Sequence, residues 1–543
     1  MTFRNSCKKF VLCFCVTILT LVFVGVCAGN NGEKRFHILM LNDPHSYILP
    51  YREASGDEAV EVGGMTKALW LLEEERKKIK AQDSAPIFLI EAGDIMLGMK
   101  GAAFAGKPEY SILTRLGFDV GVLGNHDFDA GVSTLAKLGK TLKFPVLASN
   151  ITFDDKATDA CFHNTAIIKR GGVTVGCFGL VTPTLKSVIS DPTGFSIEQD
   201  VISAAKKYVA ELKERNVDVI IAVNHIGLDY DIKLAKEVAG INIIVGGHSH
   251  DAIRNKTIVT GPDGSPVIIG QAGLDGRYIG RFDIVVKGGK LDPVKSNWRL
   301  LEVELKTPET KWISGVGKTA MDRMSKNLKL GNPVAVFTNT VDVRKEAART
   351  RENAMGDILA DAMRSFGGAD IGIANGGALR IGRVIPKGEF SPADMLDLLP
   401  FADVVELAVA TGAEIRKQLE ISASSLKGDN DSYDPSVRTS PGEFLQVSGL
   451  RVTYNLRRTP ALVVNRKMIR PGERVIGVEV NGRPLDDAKT YTVCGSDFTL
   501  RTWDKIKVVD LKKTDMSVFD DYIESKYNRV LSPKVDSRIT IIR

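Results

Sequence analysis

Five short apolar runs in the first half of the chain each end in a group of glycine, amide, imidazole or carboxylate residues. Such a run predicts a buried strand, and polar residues directly after it fall in the loop at the carboxyl end of the strand. One motif of this kind also fits an ordinary turn. Five in order predict that several strands deliver ligands to a shared site. The motifs are Leu41-Asn42-Asp43-Pro44-His45, Ile90-Glu91-Ala92-Gly93-Asp94, Gly124-Asn125-His126-Asp127-Phe128-Asp129, Ala222-Val223-Asn224-His225 and Val245-Gly246-Gly247-His248-Ser249-His250.

The histidines are concentrated in these motifs. The chain has seven histidines, and only His37 and His163 lie outside the five motifs. A single histidine is more often a structural residue than a metal ligand. Five at predicted strand ends, interleaved with aspartate and asparagine, indicate a metal centre with nitrogen and oxygen ligands.

The residue types also suggest individual roles in that centre. A pair of divalent ions needs a bridging carboxylate, and Asp94 suits this role because Gly93 lets the backbone approach the ions. His126 directly follows Asn125, so its side chain should point away from the ligands and serve as a cation or general acid oriented by Asp129. Two ions about 3.5–4 Å apart would hold a phosphoryl group and activate a water. Zn, Mn, Co and Fe all suit these ligands.

Strands and amphipathic helices alternate through the first half of the chain, which predicts a layered α/β unit. Helices are expected over 110–116, 130–142, 201–216 and 230–238, and closing antiparallel strands over 267–271 and 280–286. A linker helix is expected within 306–332, with Trp312, Val316, Met321 and Met324 on one face. A surface helix of either domain is the alternative. The remainder, 333–543, is expected to form a second α/β unit.

The N-terminus predicts a signal peptide over residues 1–28. Basic residues precede an apolar run over 10–26, and Val26-Cys27-Ala28 offers a cleavage site of small residues. The protein is therefore expected to be exported, to a periplasm or out of the cell. An uncleaved signal anchor that tethers the chain to a membrane is the alternative.

Charge and cysteine content argue against two other kinds of protein. The net charge is +6 over 543 residues, with basic and acidic residues interspersed. No nucleic-acid-binding stripe is implied, and a small phosphate-bearing substrate needs only the local positive charge that two metals would supply. Loss of the signal would leave Cys161, Cys177 and Cys494, too few for a disulfide framework, with room for one bond at most.

The five motifs resemble the metal-binding set of the calcineurin-like metallophosphoesterases, and nearly all of the mature chain resembles the two-domain 5′-nucleotidase family. The resemblance implies a four-layer metallophosphoesterase-type α/β sandwich over 34–305, a linker helix or hinge over 306–332, and a smaller α/β (α+β) 5′-nucleotidase C-terminal domain over 333–543. It implies that one metal is held by Asp43, His45, Asp94 and His250. It implies that a second is held by Asp94, Asn125, His225 and His248, with His126 and Asp129 as the catalytic dyad.

The second unit contains residues suited to substrate selection. Asn375 and Arg380 flank a glycine turn, a combination that fits phosphate recognition, and Phe401 and Phe498 offer aromatic faces for a base. By resemblance, Arg349 and Arg380 bind the phosphate of the substrate. The resemblance also implies a nucleoside pocket of Asn375, Phe401 and Phe498, a ribose-hydroxyl acceptor in Asp504, and domain rotation about the linker helix.

Four positions depart from the family pattern. Ala354 and Asp357 stand in place of usual asparagines, and Ala378 in place of a usual glycine. Trp503 lies in Arg501-Thr502-Trp503-Asp504, where a Gly-Gly-Asp turn is common, and is expected to close, reshape or enlarge the nucleoside pocket. Metal chemistry is thus predicted more securely than nucleotide specificity.

The leading hypothesis is a metal-dependent phosphohydrolase that removes phosphate from nucleoside 5′-monophosphates with a metal-activated water. An alternative enzyme would cleave UDP-sugars or 2′,3′-cyclic nucleotides on the same metals. The alternative from a different class is a non-catalytic secreted binding or adhesion protein. The five complete motifs favour an enzyme. Oligomeric state is left open.

Overall fold

The computed structural model describes residues 32–56, 58–328, 330–428, 441–464, 466–504 and 506–543. The predicted signal peptide, residues 1–28, lies outside the described residues. Within those ranges, no helix combines the length and apolar character needed to cross a membrane.

Two sheets form the centre of the first half of the chain. The strands of the first sheet lie in the order Lys290–Leu291, Tyr278–Lys287, Glu33–Leu41, Ile87–Glu91, and Asn297–Glu302 also pairs with Tyr278–Lys287. The strands of the second lie in the order Thr257–Thr260, Pro266–Gly270, Ile243–Val245, Val219–Val223, Val173–Phe178, Thr165–Arg170. Short pairs add Tyr51–Ser55 with Glu58–Val62, Gly121–Val122 with Val146–Leu147, and Ile151–Phe153 with Phe195–Ile197.

The two sheets share one core. Ile38 and Phe88 of the first sheet and Cys177 and Ile221 of the second belong to one cluster and are at most 1% exposed. Alternate residues of a strand face opposite sides, so Leu39 belongs instead to the core beneath the helix Met65–Gln82.

The helices Val201–Glu214 and Leu228–Glu237 contribute buried residues to the core of the second sheet. The order helix, sheet, sheet, helix confirms the predicted four-layer sandwich. Other helices of this half are Gly98–Ala102, Lys107–Leu116, Val132–Gly139, Lys156–Asp159 and Leu185–Val188.

The expected elements occur, with helix ends shifted by up to three residues. The helix predicted from residue 110 begins at Lys107, because left-handed Gly106 and the proline at the helix start set its first turn. One pairing differs from expectation. Pro266–Gly270 is antiparallel to Thr257–Thr260 but parallel to Ile243–Val245, so it extends the parallel part of its sheet.

The second half has its own sheets and cores. The largest sheet has the order Leu445–Ser448, Ile371–Asn375, Thr490–Ser496, Val404–Thr411, Lys507–Thr514, and a second has the order Arg483–Pro484, Val475–Val480, Leu450–Asn455, Ile539–Ile542. Smaller groups are Gly388–Phe390, Ala335–Phe337 and Val530–Leu531, then Val341–Asp342 with Val384–Ile385, and Leu462–Val464 with Lys467–Arg470. The helices are Lys345–Thr350, Ala354–Gly367, Pro392–Leu398, Gly412–Ser424, Asp497–Leu500 and Asp515–Tyr527.

A helix, Lys311–Leu328, connects the two halves. Trp312 and Val316, near its start, pack against the first-half core, whereas Met321 and Met324, near its end, pack against the second. The expected apolar face is therefore divided between two cores, which explains why the sequence assigns the helix to neither domain.

The cysteines play no part in cross-linking the described chain. Cys161, Cys177 and Cys494 are all free. Cys177 and Cys494 are fully buried, as expected of small apolar residues.

Candidate metal centre and substrate cavity

The five strand-end motifs converge in the structure. Each predicted ligand lies in a loop within a few residues of the carboxyl end of a strand. Most of these strands belong to the two facing sheets, and Asn125 follows the short paired strand Gly121–Val122. The ligand atoms of Asp43, His45, Asp94 and His250 lie within 4.8 Å of one another. Strand topology thus brings together residues up to 207 positions apart, as His250 and Asp43 show.

Asp94 lies at the middle of the cluster. Its Oδ2 is 3.0 Å from Nε2 of His225 and 3.4 Å from Nε2 of His45. On the neighbouring side, Oδ1 of Asp43 is 3.3 Å from Nε2 of His250. The cluster is therefore one connected set of carboxylate and imidazole ligands.

Two further predicted ligands, Asn125 and His248, lie against each other. Nδ1 of His248 is 2.8 Å from Oδ1 of Asn125. The backbone amide of His248 donates to Oδ2 of Asp43 at 3.1 Å, which joins this pair to the rest of the cluster. All seven predicted ligands are thus brought into one region.

The imidazoles of His45 and His225 each have one nitrogen with a hydrogen-bond partner and one without among the described residues. Nδ1 of His45 is 2.9 Å from Oδ1 of Asp275, and Nδ1 of His225 is 2.8 Å from the carbonyl of Ala92. Nε2 of each ring is buried and faces Oδ2 of Asp94, but it makes no hydrogen bond of good geometry to any of the described residues. This is how metal-binding histidines are oriented: one nitrogen is held by a carboxylate or carbonyl and the other is free for the ion. The residues present therefore fit a divalent metal.

The backbone of the ligand loops is itself unusual. Asp43, His45, Asp94, His248 and His250 all have positive φ, between 48° and 81°. Non-glycine residues rarely adopt this left-handed conformation, and such strain is concentrated at functional sites.

Glycines give the ligands the room they need. A Cβ on Gly93 would lie 2.4 Å from Nδ1 of His225, and one on Gly124 would lie within 2.2 Å of the Asp94 backbone nitrogen. Neither position can hold a larger residue without displacing a ligand.

Electrostatics keep the central carboxylate ionised. Burial opposes the charge of Asp94, but the His225 and His126 imidazoles outweigh burial and hold the pKa of Asp94 well below its usual range. In turn, the Asp94 and Asp43 carboxylates overcome burial and raise the pKa of His225 to about 10. Charge in the cluster is strongly coupled, as expected where cations are bound.

His126 is beside the ligands and contacts both halves of the chain. Its Nδ1 lies 2.9 Å from Oδ2 of Asp129, and Arg380 donates to its Nε2 at 2.9 Å. A guanidinium can only donate, so Nε2 accepts and Nδ1 carries the proton. Phe401 stacks on the imidazole, with ring centroids 5.8 Å apart and planes 19° apart.

The cluster opens into a cavity of about 440 Å³ that both domains line. The first domain contributes His126, Asp129 and several predicted ligands. The second contributes four cations, Lys345, Arg349, Arg380 and Arg466. Burial and the neighbouring guanidiniums lower the pKa of Lys345 to about 8, and burial and Arg380 lower that of Arg349 to about 9. Such a group of cations facing one cavity is a site for an anion.

Aromatic and amide groups line the cavity next to these cations. Phe498 has the Arg466 guanidinium 4.1 Å from its ring centroid, and Arg466 pairs with Glu443 at 2.9 Å. Asn375 is fixed at its oxygen by Thr499 (3.1 Å) and at its nitrogen by the carbonyl of Gly442 (3.2 Å). The cavity thus combines an anion site with flat apolar surfaces.

Two residues expected near the nucleoside lie elsewhere. Asp504 is not among the described residues lining the cavity, and its carboxylate pairs with Lys417. Trp503 is 7% exposed and belongs to a core of the second half, so the expectation that it reshapes the cavity is wrong. A large apolar ring is stabilised more by burial in that core than by lining a polar cavity.

Sequence reasoning also missed three residues of the site. Lys345 and Arg466 line the cavity, and Asp275 orients His45. Asp275 follows the strand Pro266–Gly270 after a glycine, so the same strand-end pattern was available to find it. Lys345 and Arg466 have no such pattern.

Fold and site together define the chain as a metallophosphoesterase, an enzyme that hydrolyses phosphoric esters with divalent metal. Residues 36–252 match the family model described as calcineurin-like phosphoesterase. Residues 333–510 match the model described as 5′-nucleotidase, C-terminal domain. The two matches together span most of the chain, which belongs to the two-domain 5′-nucleotidase family.

Individual relatives agree with this assignment. The 5′-nucleotidase of Mus musculus is 28% identical over 558 residues, covering 92% of this chain and 90% of the relative. The trifunctional nucleotide phosphoesterase protein YfkN of Bacillus subtilis is 27% identical over 504 residues, covering 83% of this chain but 32% of that protein. The crystal structure of a 5′-nucleotidase precursor from Thermus thermophilus matches with a TM-score of 0.80 and 26% identity, covering 94% of this chain and 99% of that one.

Proposed function

We propose that this enzyme removes phosphate from nucleoside 5′-monophosphates at a centre of two divalent metal ions. One observation carries the proposal. A single cavity is lined by four of the predicted metal ligands, four cations and two phenylalanines. The predicted metal ligands suit the reacting phosphorus of a nucleotide, and the cations suit the charge of its phosphate. The phenylalanines suit its flat base.

The metal ligands are assigned in two groups that share Asp94. The first ion would be held by Asp43, His45, Asp94 and His250, and the second by Asp94, Asn125, His225 and His248. When bound, ions in such a pair lower the pKa of a water and polarise the phosphoryl oxygens. Zn, Mn, Co and Fe all fit these nitrogen and oxygen ligands.

The phosphate is assigned to the cations of the second domain. Arg380 and Arg349 present guanidinium donors suited to two phosphate oxygens, and Lys345 adds a point charge. Arg380 already lies at the boundary with the first domain, 2.9 Å from His126. A bound phosphate would accept the hydrogen bond that Arg380 now donates to the His126 imidazole.

His126 and Asp129 are assigned to proton transfer. Nδ1–H of His126 donates to Asp129, which fixes the ring so that Nε2 faces the phosphate site. Once Arg380 turns to the phosphate, Nε2 is free to hold a proton for the oxygens of the reacting group. Removing Asp129 would leave the imidazole free to rotate.

The nucleoside is assigned to Phe401, Phe498 and Asn375. Each ring offers a face for base stacking, a contact of roughly 1–3 kcal/mol per base. Asp504 is left out of this assignment because its carboxylate pairs with Lys417 outside the cavity.

We also infer that the domains, bounded at 34–305 and 333–543, rotate about the segment 306–332 during turnover. Both domains line the cavity, so their rotation would change how substrate reaches the metal ligands. Locking them with an engineered interdomain crosslink is expected to abolish turnover, and full activity in the locked form would contradict the rotation. Export by the signal over 1–28 is part of the same proposal, and N-terminal sequencing of the mature protein tests it.

A second candidate substrate class is other nucleotide phosphoesters, such as UDP-sugars or 2′,3′-cyclic nucleotides. Arg466 favours it, because it adds a guanidinium over Phe498 beyond the three cations assigned to one phosphate. A relative whose name describes several nucleotide phosphoesterase activities agrees with this breadth.

Phosphate release from a substrate panel tests the proposal. The panel comprises AMP, UMP, UDP-glucose, a 2′,3′-cyclic nucleotide and p-nitrophenyl phosphate, each with added Mn or Zn and with chelator. Chelator-sensitive release that favours AMP and is lost in His126→Ala is expected. Release only from the other esters would move the substrate to the second class. Release unaffected by chelator would contradict the metal-dependent mechanism.

A further inference from the structure

A second cluster of carboxylates lies in the second domain, outside the described lining of the cavity. Glu352 lies just before the helix Ala354–Gly367, Asp357 lies in its first turn, and Asp536 lies before the C-terminal strand. One carboxylate oxygen from each lies within 4.8 Å of the others. Two distant segments of the chain thus meet at one small acidic group.

Asp357 is the buried member of the group and has no hydrogen-bond partner among the described residues. The residue is 2% exposed, and both carboxylate oxygens lack a hydrogen bond among the described residues. A buried carboxylate without a partner is unfavourable and requires either a proton or a cation. Burial raises the pKa of Asp357 to about 8, Arg538 lowers it, and the Glu352 and Asp536 carboxylates raise it.

The neighbouring cation, Arg538, is committed to other groups. Its Nε donates to Asp536 at 2.7 Å, and its Nη1 and Nη2 donate to Asp361 at 2.8 and 2.9 Å. Its Nη1 also donates to the carbonyl of Val447 at 2.9 Å. Its Nε lies 4.0 Å from Oδ1 of Asp357, too far for a hydrogen bond. One guanidinium therefore faces three carboxylates, and Asp357 is the one it leaves unpaired.

Glu352 is held in place by two backbone amides. Its Oε1 accepts from the amide of Asp536 at 3.0 Å, and its Oε2 accepts from the amide of Ile539 at 2.9 Å. Amide donors of this kind favour the charged carboxylate, and each oxygen keeps a second lone pair. The side chain of Asp536 is 56% exposed, so the cluster opens to solvent on that side.

We propose that Glu352, Asp357 and Asp536 bind one hard divalent cation of the calcium type. Ligands that are all oxygen favour Ca²⁺ or Mg²⁺ over the metals that suit the histidine-rich centre. The open side leaves room for the several waters and the irregular coordination that Ca²⁺ accepts, whereas Mg²⁺ demands a near-octahedral shell. The cation supplies the charge that Arg538 does not.

The position of the site indicates a structural role. A bound ion would join the segment before Ile539–Ile542 to the start of the helix Ala354–Gly367. Glu352 lies three residues after Arg349, so the same ion would restrain the segment that carries a cation of the cavity. The ion is therefore expected to stabilise the second domain and to take no part in phosphoester cleavage.

Calcium alone is the probe for this site. Isothermal titration of the full-length, Mn-loaded enzyme with CaCl₂ is expected to reveal one calcium site, and Ca²⁺ is expected to raise the thermal unfolding midpoint. Asp357→Asn keeps the size of the side chain and removes its charge, so Ca²⁺ affinity should fall at least tenfold. Asp536→Asn, at an exposed position that tolerates the change, should weaken binding in the same direction. Asp521→Asn, an exposed carboxylate of the same domain, is the matched control and should leave binding unchanged.

Two results would overturn the proposal. One is no calcium binding by the wild-type chain at about 10 mM, above the 10⁻⁴–10⁻³ M range of weak calcium modules. Asp357 and Glu352 would then share a proton as a carboxyl pair. The other is calcium binding that Asp357→Asn does not weaken, which would place the ion elsewhere. Asp94→Asn distinguishes calcium binding at the histidine-rich centre from calcium binding at the acidic cluster. It alters the histidine-rich centre and should leave calcium binding at the acidic cluster unchanged.

Discussion

The metal-ligand cluster and the cationic cluster face each other across one cavity but are built in different ways. The metal ligands follow strand ends, and left-handed backbone and nearby glycines hold them in place. Lys345, Arg349 and Arg380 come from a short helix and a loop, and Nε of Arg349 has no partner among the described residues. Strand topology thus sets one half of the site, whereas domain docking sets the other. Changes in the first half should disrupt the chemistry, and changes in the second should alter substrate binding.

Asp94→Asn should have the largest effect. The substitution removes the negative charge that lies 3.0 Å from His225 and 3.4 Å from His45. We expect loss of bound metal and at least ~10³-fold lower kcat/KM, since several kcal/mol of transition-state stabilisation depend on the metals. Metal content and kcat/KM measured on the same sample test this. Full metal content with normal turnover would show that Asp94 is not the centre of the cluster.

Gly93→Ala tests whether close packing holds the ligands. Gly93 and Gly172 both have positive φ, 86° and 77°, so alanine strains the backbone at each. A Cβ at Gly93 meets His225, whereas one at Gly172 meets nothing within 4 Å. We expect metal affinity to fall roughly 10–100-fold in Gly93→Ala and to stay unchanged in Gly172→Ala. Equal metal affinity in the two variants would mean that packing against His225 is unimportant.

Lys345 should give the cationic half a pH dependence. With its pKa lowered to about 8, Lys345 is charged below pH 8 and loses its charge as the pH rises through that value. We expect kcat/KM to fall about tenfold above pH 8, the value of one lost charged contact. Lys345→Arg should move this fall to higher pH, and Lys345→Gln should show low kcat/KM without it. If kcat/KM of Lys345→Gln falls above pH 8 as it does in the wild type, a group other than Lys345 causes the fall.

Asp504→Asn should have the smallest effect. The Asp504 side chain is 63% exposed and pairs with Lys417, and exposed ion pairs contribute about 0–1 kcal/mol. We expect the KM for AMP to change by less than about twofold. Phe498→Ala, which removes a cavity wall, should raise it about tenfold. Equal increases in KM for Asp504→Asn and Phe498→Ala would show that Asp504 contributes to nucleoside binding.

The two halves of the site also differed in how far the sequence predicted them. The convergence of the predicted metal ligands followed from the sequence, because polar residues directly after buried strands lie at the sheet edges. No local pattern marks Lys345, because its place depends on how the second domain docks. Trp503 shows the same limit, since its position in the chain did not reveal which side of the loop faces the core.

The fold itself followed the same rule. The alternation of strands and helices predicted the sandwich, and helix ends moved by up to three residues where turns such as Gly106 decided them. The parallel pairing of Pro266–Gly270 was not predictable, because local pattern does not specify which neighbour a strand meets. Long-range pairing is set by the whole sheet.

The crowding of Lys345, Arg349 and Arg380 has a further consequence for the empty enzyme. Burial and their mutual repulsion lower the pKa of the first two, so the folded chain is less stable than it would be with neutral residues there. Neutral substitutions should therefore raise the stability of the folded protein and lower its catalytic activity, a trade-off between folding and function. The same repulsion means that any tetrahedral oxyanion, including the product of the reaction, protects the fold when it occupies the cavity.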